Sequence, residues 1–450
     1  MMPDDPIRIG SNSKAVLAAV LRKELKKVLS AKRGGAVVTD ADIEALKLID
    51  NEDGIELVAP HVREAMLAGP VGGDLDAITG KPCIPNAWKM VTIGHLLTHY
   101  AGLGGDESAY GDLSKIRDLS SAPRLAQQQQ ASGATLGARN GLKAAQGSNA
   151  YFVPPATLEE IMVAQGDRCF ANAPGAKEVY SNGGFGTLNY VLEHFTGRPF
   201  VAPNGYPGLH GTSSLAAFAA TEWGAIHGIE MSHFALGARD VEEPRYRSWN
   251  AGQSTFYPLV NDDKRPWCAL SGSSCDFTAW RQGKTRYNWQ WQPQRVEFSY
   301  GQNAVHPGTG ALAAEAPKYL AFMQKFTVGR PYGGERAKYP GFHQHFGGWS
   351  GVISWVAQMS GDTVGYTSFG NNRNGTMTFE SSKATNGSCK IPKGVDVFFS
   401  MNQDTDPKCT EANGCVVCVD ADCKEKANAY SVGYYNEVIK EALCASDWTM

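Results

Sequence analysis

The sequence lacks a run of about 20 apolar residues, the length that a membrane-spanning helix needs. Its best apolar stretch, Ala15–Leu21, is short and is followed at once by basic residues. The first six residues carry two prolines and two aspartates, and they lack the basic and apolar regions of a secretory signal. We therefore expect no membrane span, and no targeting segment is visible.

An excess of charge of either sign is also missing. The chain has 42 Lys and Arg against 45 Asp and Glu, a net charge of −3. Without an excess of basic residues, the chain is not expected to form a positively charged surface for the phosphates of nucleic acid. We therefore do not expect nucleic acid as a partner. With 42% hydrophobic and 19% charged residues, the chain can bury a full core. These figures indicate a globular protein with a small, neutral or mildly charged substrate.

Hydrophobic spacing predicts helices along the chain and strands near its end. The helix-like segments cover residues 11–29, 92–98, 184–195, 311–326 and 430–443. Two β-rich runs, 352–359 and 364–369, flank a Ser-Gly-Asp-Thr turn and are predicted to pair as a hairpin. This combination favours an α/β (α+β) fold in which an antiparallel sheet is flanked by helices.

A serine and a lysine stand one helical turn apart at the start of the first predicted helix. Ser11 and Lys14 form an S-x-x-K pattern, which places both side chains on one helix face. A serine hydroxyl becomes a nucleophile when a nearby base takes its proton, and a lysine can do this if its pKa is lowered. The pattern alone is weak, because a helix-capping role would also explain Ser11.

Further motifs follow in a fixed order. They are His95-Leu-Leu-Thr-His99 before Ala-Gly-Leu, a Pro-Gly pair at 174–175, the run YSNGGFGTLNYVLEHFTGRPF from Tyr180, the turn 307–312, and His345-Phe-Gly347. Together with S-x-x-K, this order resembles the serine β-lactamase and penicillin-binding-protein superfamily. The class C-like branch is the most similar, and it includes D-aminopeptidases, D-alanyl carboxypeptidases and family VIII carboxylesterases. The matches span residues 7–370, interrupted by insertions.

The resemblance implies a β-lactamase/transpeptidase-like fold and a covalent mechanism. It implies that Ser11 attacks a carbonyl and that Lys14 and Tyr180 together take and relay its proton. Asn182 would hold Lys14 and the substrate amide. The acyl-enzyme would then be hydrolysed, and no cofactor or metal would be needed.

The third family motif lies on the strand beside the active site. The resemblance implies that the backbone N–H groups of Ser11 and Gly348 stabilise the tetrahedral oxygen. Glycines at 347 and 348 would let the substrate lie against this strand. His345 would bind or polarise the far end of the substrate, in the position where true β-lactamases have a lysine, so we expect β-lactamase activity to be weak at most.

Two classes of function stay open. The first is a serine hydrolase acting on an ester or a D-configured peptide or amide bond. The second is a catalytically idle relative that binds a ligand or partner through the same cleft. A binding module has no need of a serine, a lysine and a tyrosine together, which favours the enzyme. His95 and His99 are spaced as in zinc peptidases but lack the required glutamate, so we interpret them as structural histidines.

We predict three parts along the chain. The first is a catalytic domain at 1–387 with an insertion at about 106–155. A Cys-rich insertion or tail follows at 388–427, and a C-terminal helix within 428–450 packs back on the sheet.

Six of the ten cysteines lie in the last 62 residues: Cys389, Cys409, Cys415, Cys418, Cys423 and Cys444. Zinc binding or free thiols stay open for this cluster. Its turn-rich context and the sequons at Asn374 and Asn386 favour disulfides, glycosylation and a secreted or other oxidising location.

The resemblance also predicts that the N-terminus is incomplete or rearranged. Only ten residues precede Ser11. Related proteins have N-terminal strands of the sheet at this point.

Overall fold

The computed structural model describes residues 7–70, 82–103, 158–166, 168–201, 213–224, 235–236, 307–339, 343–349, 352–358 and 396–401. Helix α1, Ser13–Lys32, lies at the centre of this part of the chain. Every residue from Ser13 to Arg22 is buried, so the first half of α1 is enclosed on all sides rather than on one face. A 3-10 turn, Gly10–Asn12, leads into it. The predicted helix over 11–29 is thus confirmed, with Ser11 in the turn that precedes it.

Eight further helices lie in the described part of the chain. They are α2 (Asp40–Ala45), α3 (Pro60–Ala68), α4 (Ala87–Met90), α5 (Ile93–Leu97), α6 (Leu158–Gln165), α7 (Asn182–Thr196), α8 (Ser214–Phe218) and α9 (Ala316–Met323). π-helical turns cover Ala219–Gly224 and Pro307–Ala311, and a 3-10 turn covers Arg336–Lys338. Hydroxyl side chains cap α2, α5, α7 and α8, because each accepts a hydrogen bond from a free N–H group of the first turn.

Two antiparallel sheets complete the described architecture. The first has the order β1 (Ile7–Arg8), β3 (Leu312–Ala314), β2 (Ala235–Leu236). The second has the order β4 (His343–Trp349), β5 (Val352–Gln358), β6 (Asp396–Met401). Helices with antiparallel strands confirm the predicted fold class.

The helices predicted over 92–98 and 184–195 are confirmed as α5 and α7. The helix predicted over 311–326 is wrong at its start, because residues 312–314 form β3 between β1 and β2. Helix α9 begins at Ala316, and a proline in its first turn suits a helix start there.

The predicted strand 352–359 is confirmed as β5, but its predicted partner is not. Both edges of β5 are taken, one by β4 and the other by β6. The segment 364–369, which was the predicted hairpin partner, lies outside the described residues. Strand β6 lies within 388–427, so that segment contributes a strand to this sheet. The predicted insertion at 106–155 and the helix at 430–443 also fall outside the described residues.

One disulfide, Cys83–Cys169, is present among the described residues, and it joins positions 86 residues apart. Neither cysteine belongs to the C-terminal cluster for which disulfides are predicted. The six C-terminal cysteines lie outside the described residues. Over the ranges that the structure covers, no helix is both long enough and apolar enough to span a membrane.

The second sheet holds the turn that carries Ser11. On β5, Ser354 Oγ donates a hydrogen bond to the carbonyl of Ile9 (2.7 Å) and accepts one from Asn12 Nδ2 (2.8 Å). Gly347 pairs with Ser354 across the sheet and lies against the backbone of Ile9. From α9, the Tyr319 hydroxyl donates to the carbonyl of Asn12 at 2.9 Å. The turn is therefore fixed on both sides of Ser11.

This packing predicts the cost of a side chain at Gly347. A Cβ there would overlap the Ile9 carbonyl and Ser354 Oγ, so Gly347→Ala should lower the free energy of unfolding by about 1 to 3 kcal/mol, as overpacking does. Gly184→Ala is the matched control, since its Cβ would meet its nearest neighbour at 3.7 Å in a helix that favours alanine. Urea denaturation of both variants checks the prediction, and equal stabilities would contradict it.

Candidate active site

Ser11 presents its hydroxyl to the site rather than to the backbone. The half-buried Ser11 Oγ lies 2.9 Å from Lys14 Nζ and 2.7 Å from the Tyr180 hydroxyl. The N-cap of α1 is Asn12, and its side chain makes no capping hydrogen bond. Ser13 instead bonds the backbone, because its Oγ donates to the Gly10 carbonyl at 2.7 Å. The helix-capping interpretation of Ser11 is therefore wrong, and its hydroxyl is available for chemistry.

Lys14 is fully buried. Its Nζ donates to Ser11 Oγ (2.9 Å), to Asn182 Oδ1 (2.8 Å) and to the carbonyl of Thr309 (2.7 Å). It also lies 4.9 Å from the centre of the Tyr180 ring. Burying an ammonium group is costly unless its protons are hydrogen-bonded. These acceptors satisfy all three protons of the charged form.

The same contacts also set the orientation of the Lys14 side chain when its amine is neutral. Asn182 Oδ1 and the Thr309 carbonyl can only accept hydrogen bonds. A neutral amine has two N–H groups and one lone pair, so these two acceptors take both N–H groups. The lone pair of Lys14 then faces Ser11 Oγ, which is the orientation that a general base needs.

Tyr180 and Asn182 are placed by the start of α7. Ser181 caps this helix, and its Oγ accepts from the N–H of Gly184 at 3.0 Å. Asn182 is the first residue of the helix, and Tyr180 lies just before it. The Tyr180 side chain is 39% exposed, so its hydroxyl reaches both Ser11 and solvent. The sequence Tyr-Ser-Asn thus places a phenol and an amide on either side of a capping serine.

His345 lies on β4 beside this group. Its Nδ1 is 3.0 Å from the hydroxyl of Tyr332, and its ring centre is 6.3 Å from that of Tyr180. Burial lowers the pKa of His345 to about 3, and the positive charges of Lys14 and Arg330 act in the same direction. Burial raises the pKa of Tyr332 to about 12. The imidazole is therefore neutral near pH 7, and the Tyr332 phenol can donate to it.

The structure brings most of the sequence-predicted residues together. Ser11, Lys14, Tyr180 and Asn182 form one hydrogen-bonded group, and His345 adjoins it. Gly347 and Gly348 lie on β4, where they pair with residues of β5. Gly347 faces the turn before Ser11, so close packing is the observed reason for glycine there. The oxyanion role of Gly348 and the substrate-binding role of His345 stay predictions.

Sequence reasoning missed two members of the site. Thr309 contributes a backbone carbonyl, which any residue type could supply, so its side chain gives no signal. Tyr332 contributes a buried phenol, and the glycine after it offers a signal. Gly333 has a φ of +64°, and a Cβ there would overlap the backbone of α1 at Ala19. This tight turn brings the Tyr332 segment against the helix that carries Lys14.

His95 takes part in capping α5, since its Nδ1 accepts from the N–H of Thr92 at 3.3 Å. Within the parts of the chain that the structure describes, no group of three or more His, Cys, Asp or Glu side chains could hold a metal ion.

Comparison with known proteins finds structural likenesses. No protein-family model matches this chain, and no curated protein sequence matches it. It is similar to a D-stereospecific amidohydrolase from Streptomyces sp., with 15% identity, coverage of 79% of this chain and 78% of the other, and a TM-score of 0.35. It is also similar to a D-amino acid amidase from Ochrobactrum anthropi SV3, with 13% identity, coverage of 80% and 76%, and a TM-score of 0.36.

A third similar structure is a β-lactamase/D-alanine carboxypeptidase from Yersinia pestis, with 13% identity, coverage of 79% and 75%, and a TM-score of 0.34. Since the identities and TM-scores are low, we draw no conclusion about activity or substrate from them.

The environment of His345 predicts a pH-dependent stability. Between pH 6.5 and about 3, the unfolded chain binds a proton at His345 that the folded chain does not. The free energy of unfolding should therefore fall as the pH drops through this window, by at most about 1.4 kcal/mol per pH unit from this group. His345→Asn keeps an acceptor for Tyr332 but cannot titrate, so it should lose this component.

The difference between wild type and His345→Asn in urea denaturation at several pH values isolates His345 from the other titrating groups. A difference that does not change between pH 6.5 and 3 would contradict the assignment.

Proposed function

We propose that this protein is a serine hydrolase that acts through an acyl-enzyme on an ester or on a D-configured peptide or amide bond. The observation that carries the proposal is that Ser11 Oγ lies within hydrogen-bond distance of both Lys14 Nζ and the Tyr180 hydroxyl. The substrate class comes from the sequence resemblance. A small-molecule substrate fits the partly exposed position of Ser11 and Tyr180.

The contacts support the following sequence of steps. Neutral Lys14 accepts the proton of Ser11 while Ser11 Oγ bonds to the substrate carbonyl carbon. Tyr180 donates its proton to the leaving oxygen or nitrogen as that bond breaks, and it regains a proton from Lys14. Water then attacks the acyl carbon and gives a proton to the same pair. The pair passes a proton to Ser11 Oγ as the acyl bond breaks, which releases the acid product and restores the serine hydroxyl.

The neutral state of His345 supports a limit on the substrate. A lysine in this position supplies a positive charge to a substrate carboxylate, whereas a neutral imidazole offers only a hydrogen bond. We therefore propose that β-lactam turnover is weak at most. The N–H groups of Ser11 and Gly348 are proposed to hold the tetrahedral oxygen, and each such donor typically contributes a few kcal/mol in the transition state.

The alternative is a catalytically idle protein that binds a ligand through the same cleft. Against it stands the burial of Lys14 next to a half-buried serine hydroxyl, which costs stability and adds nothing to simple binding. Turnover of a substrate discriminates between the two.

The first test is hydrolysis of p-nitrophenyl esters with short acyl chains. Ser11→Ala should abolish it, with a loss of several orders of magnitude in kcat, because no second nucleophile is placed beside Lys14 and Tyr180 among the described residues. Ser30→Ala, on the same helix but far from its N-terminal end, is the control and should keep full activity. Equal activity of the two variants would refute the mechanism.

The proton relay predicts non-additive losses. Lys14→Met and Tyr180→Phe should each lose most of kcat, and the double variant should lose little more than the worse single variant, because the two groups serve one transfer. Ester hydrolysis and urea denaturation of all three variants provide the measurement. Strictly multiplicative losses in folded variants would show that the two residues act separately.

We also propose that the chain matures in an oxidising compartment. The Cys83–Cys169 disulfide supports this, since such bonds persist in secreted proteins and are rare in the cytosol. Non-reducing peptide mapping of protein from its natural source should find this bond and further bonds among the six C-terminal cysteines. Complete alkylation of those cysteines without a reductant would contradict the proposal.

A further inference from the structure

His99 lies directly behind Tyr180. It follows α5, and only 1% of its surface is exposed. Its ring centre is 4.5 Å from that of Tyr180, and its other ring neighbours are Phe185 at 5.2 Å and Tyr332 at 5.7 Å. Its φ is +63°, in the left-handed region that most residues avoid. A strained, buried histidine in the wall of the site calls for a physical reason.

The reason lies in the backbone on both sides of Tyr180. The N–H of Val179, before Tyr180, donates to the His99 carbonyl at 2.8 Å. The N–H of Ser181, after Tyr180, donates to His99 Nδ1 at 3.2 Å. One residue therefore accepts a hydrogen bond from each neighbour of Tyr180, while its ring supports the phenol ring from behind.

The charge state of His99 suits this arrangement. Burial lowers its pKa well below the usual value, and Lys14, Arg330 and His345 act in the same direction. The imidazole is therefore neutral near pH 7. Because Nδ1 accepts a hydrogen bond, the single ring proton is on Nε2. A protonated ring would instead direct an N–H group at the N–H of Ser181.

We propose that His99 is a positioning residue for the reaction: by accepting hydrogen bonds from both backbone neighbours of Tyr180, it holds the Tyr180 hydroxyl 2.7 Å from Ser11 Oγ. This inference rests on the proposed hydrolase function and goes beyond it, since His99 touches neither Ser11 Oγ nor Lys14 Nζ by a hydrogen bond. It replaces the purely structural interpretation of this histidine.

Two substitutions test whether the hydrogen-bond acceptor of His99, rather than the size of its side chain, matters for the reaction. His99→Asn places its Oδ1 close to the position of Nδ1, and asparagine tolerates a left-handed backbone. We expect its kcat for ester hydrolysis to stay within about 3-fold of wild type. His99→Leu has a similar size and no acceptor, so kcat should fall about 10- to 100-fold with KM nearly unchanged, the usual effect of a small displacement of a reacting group.

Repeating the His99 substitution in the Tyr180→Phe variant distinguishes an effect through the Tyr180 hydroxyl from a general effect on the structure. If His99 acts through the Tyr180 hydroxyl, adding His99→Leu to Tyr180→Phe should lower kcat by less than about 3-fold further. A merely structural role would lower kcat by the same factor in both backgrounds. Urea denaturation shows which variants are folded, and His99→Asn is decisive even if His99→Leu fails to fold.

Each outcome has a distinct meaning. A folded His99→Asn that loses more than about 10-fold in kcat, a folded His99→Leu with wild-type kcat, or a full additional loss in the Tyr180→Phe background overturns the role of His99 while leaving the hydrolase proposal intact. A wild-type protein without Ser11-dependent hydrolysis overturns the proposed function, and the role of His99 with it.

Discussion

The burial of one lysine side chain constrains the whole site. Lys14 has no exposed surface, and an ammonium group in such a place must find hydrogen-bond acceptors within the protein. The acceptors come from three separate parts of the chain: the turn before α1, the first residue of α7 and the π-helical turn before β3. Satisfying this one group therefore requires the three segments to meet, and their meeting creates the site around Ser11.

A second consequence is electrostatic. Arg330 and the charged form of Lys14 place positive charge beside buried rings, and Arg330 is balanced by an ion pair with Glu178. Two histidines in this field, His99 and His345, stay neutral and serve as hydrogen-bond partners. One accepts from the backbone beside Tyr180, and the other bonds the Tyr332 hydroxyl. Burial is the main cause of the low pKa of both histidines, and the charges of Lys14 and Arg330 act in the same direction.

The sequence predicts the four polar residues of the candidate site because the chemistry proposed for them depends on side-chain identity. Ser11, Lys14, Tyr180 and Asn182 could be predicted from motifs, and the structure places them in hydrogen-bond contact. The supporting groups are different. Thr309 acts through its carbonyl, which has no sequence signature. For His99, the sequence gives only a histidine near a helix end, and its backbone contacts with the Tyr180 segment arise from tertiary packing.

Strand pairing likewise cannot be predicted from the local sequence alone. The β-rich run 352–359 predicts a strand, and β5 confirms it, but the neighbour on its far edge comes from residues 396–401. The short segment 312–314 looks helical in isolation, because leucine and alanine favour helices. It becomes a strand since β1 and β2 offer hydrogen-bond partners on both sides. Non-local partners decide both cases, and a local pattern does not contain them.

The central claim is that the contacts of Lys14 and Tyr180 make Ser11 a nucleophile. The most direct measurement is the intact mass of the protein after exposure to a fluorophosphonate, followed by peptide mapping of the modified residue. The account predicts a single adduct on Ser11, formed quickly in wild type and slowly or not at all in Tyr180→Phe. No adduct on the folded protein, or an adduct on another serine with Ser11 unmodified, would contradict it.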